Sequence, residues 1–447
     1  MLHLHNRQFV VDRRAHAFGD DWRQIPLGEG VVLSHQTNLE VRRVGATVVI
    51  GTAFLTGPED GADRRRMAGR YVTIDWPFLD LDASSLLAIH YRPGSTLLSS
   101  SPALLAALGP DGEIGVELPR HGVNWVPGPL SMAAGARKLL PGQRFDLRSG
   151  EALDADPLPE LDINKDEAVE TVATELCAVV TEASDRGELQ LALTAGLDSR
   201  TVLAALLASG VPFRAYTQGP EGHEDIATAA AISRKLGIEH VAILPEPLNP
   251  SVPAIWRAHT LGSYNDADNN NLFPKKQYRF VGPDTLMLRG GCFEVGRRYF
   301  ASKLDGLSFE TATGTSILRR FRAAQTPEFA SAFDRWLEGK RARPGRLDLI
   351  DSFYLEQRLG SWLSAIEQGM DMLPGRSMQP ANSPRIISAL LSPDEATRRA
   401  GGIQRDVIRY LAPSLLQFPT NPGRRLRSYK RAIRKRVDRV VKMLRRG

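Results

Sequence analysis

Only two cysteines, Cys177 and Cys292, occur in 447 residues. They are too few and too far apart for a disulfide framework or a thiolate zinc site. No apolar run approaches the ~20 residues that a membrane-spanning helix needs. Met1–Leu2–His3–Leu4–His5–Asn6 has neither the basic start nor the apolar core of an export signal. A reducing cytoplasm is the expected compartment. There is no internal repeat and no long low-complexity tract, which excludes solenoids and fibrous arrays. What remains is an ordinary globular composition, 42% hydrophobic and 24% charged. The length suggests two to three domains, each able to bury its own core.

Charge is unevenly placed. Residues 424–447 hold twelve Lys or Arg and one Asp, so the overall +6 hides a body of net −5. In that tail Ile433, Val437, Val440, Val441 and Leu444 fall on one helical stripe. A terminal helix docked on the body with a solvated basic face accounts for this pattern. Contact with an acidic partner, RNA or a membrane surface is the alternative.

Residues 1–154 read as a β-rich layered domain. Short β-branched or apolar runs at 31–33, 46–50, 71–74 and 86–89 are separated by Gly, Pro and Asp clusters. One helix is expected over 102–108, with proline in its first turn. After a Pro- and acid-containing connector, Val169, Val172, Ala173, Leu176, Val179 and Val180 recur at helical spacing over 166–184. Strand and helix then alternate: strand 189–194, helix 198–208, strand 213–217, helix 224–236, strand 240–244 and a later strand 285–288. That alternation predicts a parallel, doubly wound sheet. Beyond residue 319 the chain reads as mainly helical. The fold class is therefore α/β plus α+β, divided as 1–154, 155–423 and the basic helix 424–447.

The most informative stretch is Leu193–Thr194–Ala195–Gly196–Leu197–Asp198–Ser199, between a strand and a helix. Such a junction makes an anion site, because backbone N–H groups and the positive helix end point at the ligand. Ala195 and Gly196 permit close backbone approach, Thr194 and Ser199 supply hydroxyls, and Asp198 can orient the turn or hold a metal. This loop resembles the pyrophosphate loop of the ATP pyrophosphatases, in the version found in asparagine synthetase, with Thr for Ser and Ala for the first Gly. The resemblance implies that ATP binds at Leu193 to Ser199. It also implies contacts from Thr217 and Gly219, at the end of the second strand where adenine would lie, and from Gly290 and Gly291.

The first 154 residues are similar to the glutaminase-type domain of the same family, through Gly69–Arg70–Tyr71, the run 86–90, Ser99–Ser100–Ser101–Pro102 and Lys138–Leu139–Leu140–Pro141–Gly142. The second residue is Leu2, however, and no cysteine precedes Cys177. Glutaminase chemistry needs the N-terminal thiol and its free amine, so none is expected. β-Lactam synthetases and many lasso-peptide cyclases likewise keep this domain without its cysteine.

Glu224–Asp225 opens a helix that ends Leu236–Gly237–Ile238–Glu239–His240, a pattern similar to the family's acidic pair. First-turn capping explains the two acids equally well. Arg289 to Tyr299 stands where the family carries a metal-binding acidic segment. Glu294 matches its second acid, but Phe293 replaces the first. The resemblance gives Mg²⁺ to Asp198 and Glu294. Arg289, Arg297 and Arg298 are cations outside the family pattern, placed either to neutralise phosphate charge that a metal otherwise handles or as free-standing surface arginines. It also makes Glu356 the general base and Lys430 the late lysine that stabilises the pentavalent phosphorus.

The expected function is an AMP-forming amide ligase. It would activate a small-molecule or peptide carboxylate as acyl-adenylate, release pyrophosphate and transfer the acyl group to an amine or ammonia. The rival expectations are a nucleotide-binding scaffold of impaired catalysis and a tRNA-modifying ATP pyrophosphatase. Nucleic acid is not an expected partner, and no feature fixes an oligomeric state.

Overall fold

The computed structural model describes residues 7–57, 63–119, 122–156, 158–244, 251–264 and 281–422. The basic tail 424–447, and Lys430 with it, lies outside the described residues.

Two six-stranded antiparallel sheets form the first layers. One runs, edge to edge, Arg137–Lys138, His90–Tyr91, Leu98–Ser99, Phe9–Asp12, Val31–Gln36, Trp22–Gly28. The other runs Glu151–Asp154, Gln143–Asp146, Phe78–Leu81, Met67–Asp75, Thr47–Leu55, Val41–Val44. Alternate residues such as Phe9, Val11 and Leu33 of the first meet Val48, Ile50, Val72 and Ile74 of the second in one core. The period of two places them on facing surfaces. The outer face of the second sheet is covered as well. Val49, Ala53, Met67 and Tyr71, of the opposite parity, form a buried cluster there. Phe54 and Ala68, farther along the same strands, join the core that contains Val172, Leu176 and Val179 of the helix Lys165–Ser184. Burial on both faces explains why Thr47–Leu55 is apolar almost throughout.

The run 86–89 is not a strand. It is a buried irregular segment whose Leu86 and Leu87 N–H groups donate to the Asp82 carboxylate at 2.9 and 3.0 Å, as does that of Ser84 at 3.1 Å. A buried carboxylate has taken the backbone donors that a ladder would have used.

The third sheet is parallel and five-stranded, ordered His240–Ile243, Phe213–Gln218, Glu188–Ala192, Thr285–Leu288, Arg376–Met378. Helices Leu197–Ser209 and Glu224–Leu236 make the first two crossovers. The chain then crosses to the other side of Glu188–Ala192, so that strand lies at the point where winding reverses. Ligands in open α/β sheets bind beyond the strand ends at such a point. Arg376–Met378 is a strand in the region expected to be helical. It is only three residues long and is held by pairing with Leu286, Met287 and Leu288, a non-local contact that no local pattern announces.

Buried polar contacts join the antiparallel layers to the parallel unit. Arg70 makes two bonds to the Asp371 carboxylate, at 2.5 and 2.8 Å. Asn382 donates to the Gly69 carbonyl at 2.6 Å and to Asp82 at 2.8 Å.

Candidate functional site

The loop after Glu188–Ala192 is held from several directions. Gly196 is the N-cap of Leu197–Ser209, and among the described residues no side chain caps that helix. Its first-turn N–H groups and positive dipole end are thus left for an anion. The loop's own hydroxyls fix its shape. Thr194 Oγ1 accepts from the Gly196 N–H at 3.2 Å and lies 2.9 Å from Ser199 Oγ, which accepts from the Thr194 N–H at 3.1 Å. Asp225 Oδ1 accepts from the Ala195 N–H at 2.7 Å. Behind the loop, buried Arg200 donates to the carbonyls of Ala195, Phe418 and Pro419 at 3.3, 2.9 and 2.9 Å.

The loop opens on a cavity of about 470 Å³. The facing wall begins at the end of Thr285–Leu288. A Cβ on Gly290 would stand 2.5 Å from the backbone nitrogen of Ser199, so only glycine lets this strand end lie against the loop. Cys292 takes a left-handed φ of 70°, which turns the chain into the short 3₁₀ segment Phe293–Arg297. That turn sends Phe293 into the core, fully buried, and puts Glu294 in the cavity wall.

Of the residues singled out in the sequence, Leu193, Thr194, Gly196, Asp198, Ser199, Thr217, Gly290, Gly291 and Glu294 line this cavity. Ala195 is fully buried behind it, and neither Leu197 nor Gly219 belongs to its wall. Thr217 is already engaged. Its hydroxyl donates to the Leu193 carbonyl at 2.7 Å and lies 2.9 Å from His240 Nε2. Burial pushes the His240 imidazole below its usual pKa, which favours a neutral ring donating to that hydroxyl.

The residues expected to hold Mg²⁺ do not fit the ion. Arg297 Nη2 donates to Asp198 Oδ2 at 2.7 Å and lies 3.4 Å from Glu294 Oε1. Glu294 Oε2 accepts from the Tyr354 hydroxyl at 2.8 Å. Phe293 supplies no ligand, and among the described residues no cluster of three or more His, Cys, Asp or Glu is placed to hold a metal. Two carboxylates already bound to a guanidinium are a poor octahedral oxygen site.

Glu356 departs from its expected place. It lines a second cavity of about 540 Å³, where it pairs with Lys340 and accepts from the Trp336 indole N–H at 2.7 Å. Arg298 departs too, since it pairs with Asp348 and Asp351 at 2.5 and 3.0 Å, in contact with Arg398 through Asp351. Arg289 does reach the cavity wall, where it pairs with buried Glu367 at 2.6 Å.

The sequence places Arg358 with Glu356 on one helix of polar and aromatic faces, similar to the Glu-x-Arg region that lines the family's acceptor pocket. In the structure Arg358 parts from Glu356 and forms the far wall of this cavity with Tyr354 and Trp362, all from the π-helical segment Phe353–Leu363. Tyr354 and Trp362 carry no role of their own in the sequence pattern. A π-helical stretch is the structural sign that could have marked them, and it leaves no trace in composition.

No family model matches the chain, and no curated protein matches it. Among solved structures the chain is similar to NMN synthetase from Francisella tularensis, with 10% identity and a TM-score of 0.22. The match covers 42% of this chain and 98% of that one. Chemistry is therefore argued from the site itself.

Proposed function

We propose that the chain is an ATP-dependent, AMP-forming amide ligase without glutaminase activity. The observation that carries this reading is the uncapped helix N-terminus at Gly196, held rigid by Thr194, Ser199 and Asp225, at the winding-reversal point of a parallel sheet and open to a cavity. Such a terminus is suited to grip the leaving pyrophosphate. A substrate carboxylate oxygen attacks the α-phosphorus of ATP, the bond to the β-phosphate oxygen breaks, and an acyl-adenylate remains. An amine then attacks the acyl carbon and AMP departs with its phosphate oxygen.

Among the described residues Asp198 and Glu294 are the carboxylates of the cavity wall, and Glu294 takes the proton that the amine must lose. Tyr354 stays protonated, because burial and then the Glu294 charge push its pKa well above the usual value. Its hydroxyl therefore orients Glu294 as a donor. Arg297 supplies the fixed positive charge beside the phosphates, in the role the family pattern gives to a metal, and Arg289 adds a second cation in the wall. Preorganised cations of this kind provide most of the stabilisation when charge moves onto pyrophosphate oxygens.

A second reading is favoured by the same Arg297 contacts: a nucleotide-binding scaffold in which the acids no longer serve catalysis. Incubation with ATP and a panel of carboxylates and amines separates the two. Formation of AMP and pyrophosphate that depends on the carboxylate supports the ligase. ATP binding with no AMP produced across the panel overturns it in favour of the scaffold.

A further inference from the structure

Among the described residues the cavity wall contains two arginines, and they differ in one respect. Arg289 is paired with Glu367 at 2.6 Å. Arg358 has no ion-pair or hydrogen-bond partner among the described residues, and its Nε is buried and unsatisfied. Its guanidinium carbon lies 3.2 Å from the centre of the Trp362 ring and 5.9 Å from that of Trp125. Burial pushes the guanidinium below its ordinary pKa, an effect that the Glu294 charge opposes. A cation taken out of water costs free energy unless an anion meets it. Stacking on an indole compensates in part and fixes the plane of the fork. The surroundings are apolar, with Leu359, Leu363 and Met370 in the same wall.

We infer that Arg358 is the receptor for a substrate carboxylate other than the one activated at the loop, borne on an apolar or aromatic frame. A planar fork on a rigid aromatic plate is matched to two carboxylate oxygens. The Phe353–Leu363 segment thereby selects among acyl donors or amines by requiring a second negative group. This deepens the ligase reading and rests on it for the identity of the reaction, though not for the binding of the anion.

Benzoate and its neutral isostere benzamide are suitable probes, titrated calorimetrically into the full chain. The wild type should bind benzoate about 10-fold or more tightly than benzamide, as a charge-assisted pair implies. R358Q should abolish that preference, while R358K should restore part of it and R358M keep the apolar packing on Trp362 without the charge. Equal affinities for the two probes in the wild type, including no detectable binding of either, overturn the proposal, as does a preference that survives in R358Q. An ATP analogue that cannot be cleaved between its α and β phosphates is titrated into the same variants. If R358Q weakens the analogue more than benzoate, the anion is a nucleotide phosphate and the assignment to substrate falls. If the analogue fails to bind the wild type, the ligase reading falls alone, and the benzoate comparison still decides the role of Arg358.

Discussion

Arg297 donates to Asp198 at 2.7 Å and lies 3.4 Å from Glu294, so one guanidinium joins the two acids that the sequence pattern assigns to a metal. The expected consequence is nucleotide binding with little need for a divalent cation. In calorimetry, the wild type should bind ATP with affinities that agree within about 3-fold in Mg²⁺ and in EDTA. Arg297→Met removes a charge-assisted contact of ~1.5–3 kcal/mol, equivalent to about 10-fold or more in affinity. The loss should appear in EDTA and be partly recovered by Mg²⁺, since the freed acids then have room for an ion. Wild-type binding that collapses in EDTA would show that Arg297 yields its place to metal.

Gly290 and Gly291 are neighbours that a substitution should separate. A Cβ at Gly290 meets the Ser199 nitrogen at 2.5 Å and the Asp198 carbonyl carbon at 2.8 Å, both backbone atoms of the loop. At Gly291 the nearest atom is Gln379 Oε1, also at 2.5 Å but on a side chain that can turn away. Gly290→Ala must therefore displace the loop, with a cost of ~1–3 kcal/mol in folding stability and about 10-fold or more in ATP affinity. Gly291→Ala should cost less in both, because it breaks only the bond from its own N–H to Gln379 at 2.6 Å. Equal ATP affinities for the wild type and Gly290→Ala would mean that the loop's position is not what binds nucleotide.

The parallel unit was legible because its elements are long and strongly patterned. The spacing of Val169, Val172, Leu176 and Val179 gave one helix, and the helix 224–236 was read with the bounds the structure shows. The loop was legible because small residues between a strand and a helix have few other uses. What escaped the reading depends on partners far away in the chain. Arg376–Met378 is a strand only because Thr285–Leu288 lies beside it, and the run 86–89 is not one because Asp82 takes its donors. Glu356 was placed by local motif, yet Trp336 and Lys340 turn it toward a different cavity. Arg358 reads as a neighbour of Glu356 on the same helix, but the π-helical winding of Phe353–Leu363 turns the two toward different cavities.

Asp225 was weighed as a helix cap, and its side chain instead reaches across to the loop. Its Oδ1 accepts from the Ala195 N–H at 2.7 Å, while His223 caps the helix by accepting from the Asp225 N–H at 3.2 Å. Asp225→Ala leaves a buried N–H unsatisfied, with a cost of ~1–3 kcal/mol, read as a lower urea midpoint and weaker ATP binding. Asp225→Asn keeps a carbonyl oxygen at the same place and should recover more than half of both. If Asn proves as damaging as Ala, the negative charge near the helix matters and the bond to Ala195 does not.

Lys138 offers a test of the first layers that is independent of nucleotide. Its ammonium group is buried, its Nζ donates to Ser364 Oγ at 3.2 Å, and burial pushes its pKa down to about 7. In the unfolded chain the same group titrates near ~10.4. Between these values the unfolded chain holds a proton that the folded chain has released, so stability rises with pH through that window and the penalty is complete below about 7. The slope approaches ~1.4 kcal/mol per pH unit in its middle. Lys138→Met removes the titrating group and keeps most of the volume. Urea unfolding at pH 7.5, 8.5 and 9.5 should show the wild type gaining on the variant by about 2–3 kcal/mol across the series. His90, whose ring burial and then the Lys138 charge hold well below its usual pKa, titrates beneath this range and does not distort the comparison. Parallel pH profiles for the two proteins would show that Lys138 stays charged inside the fold.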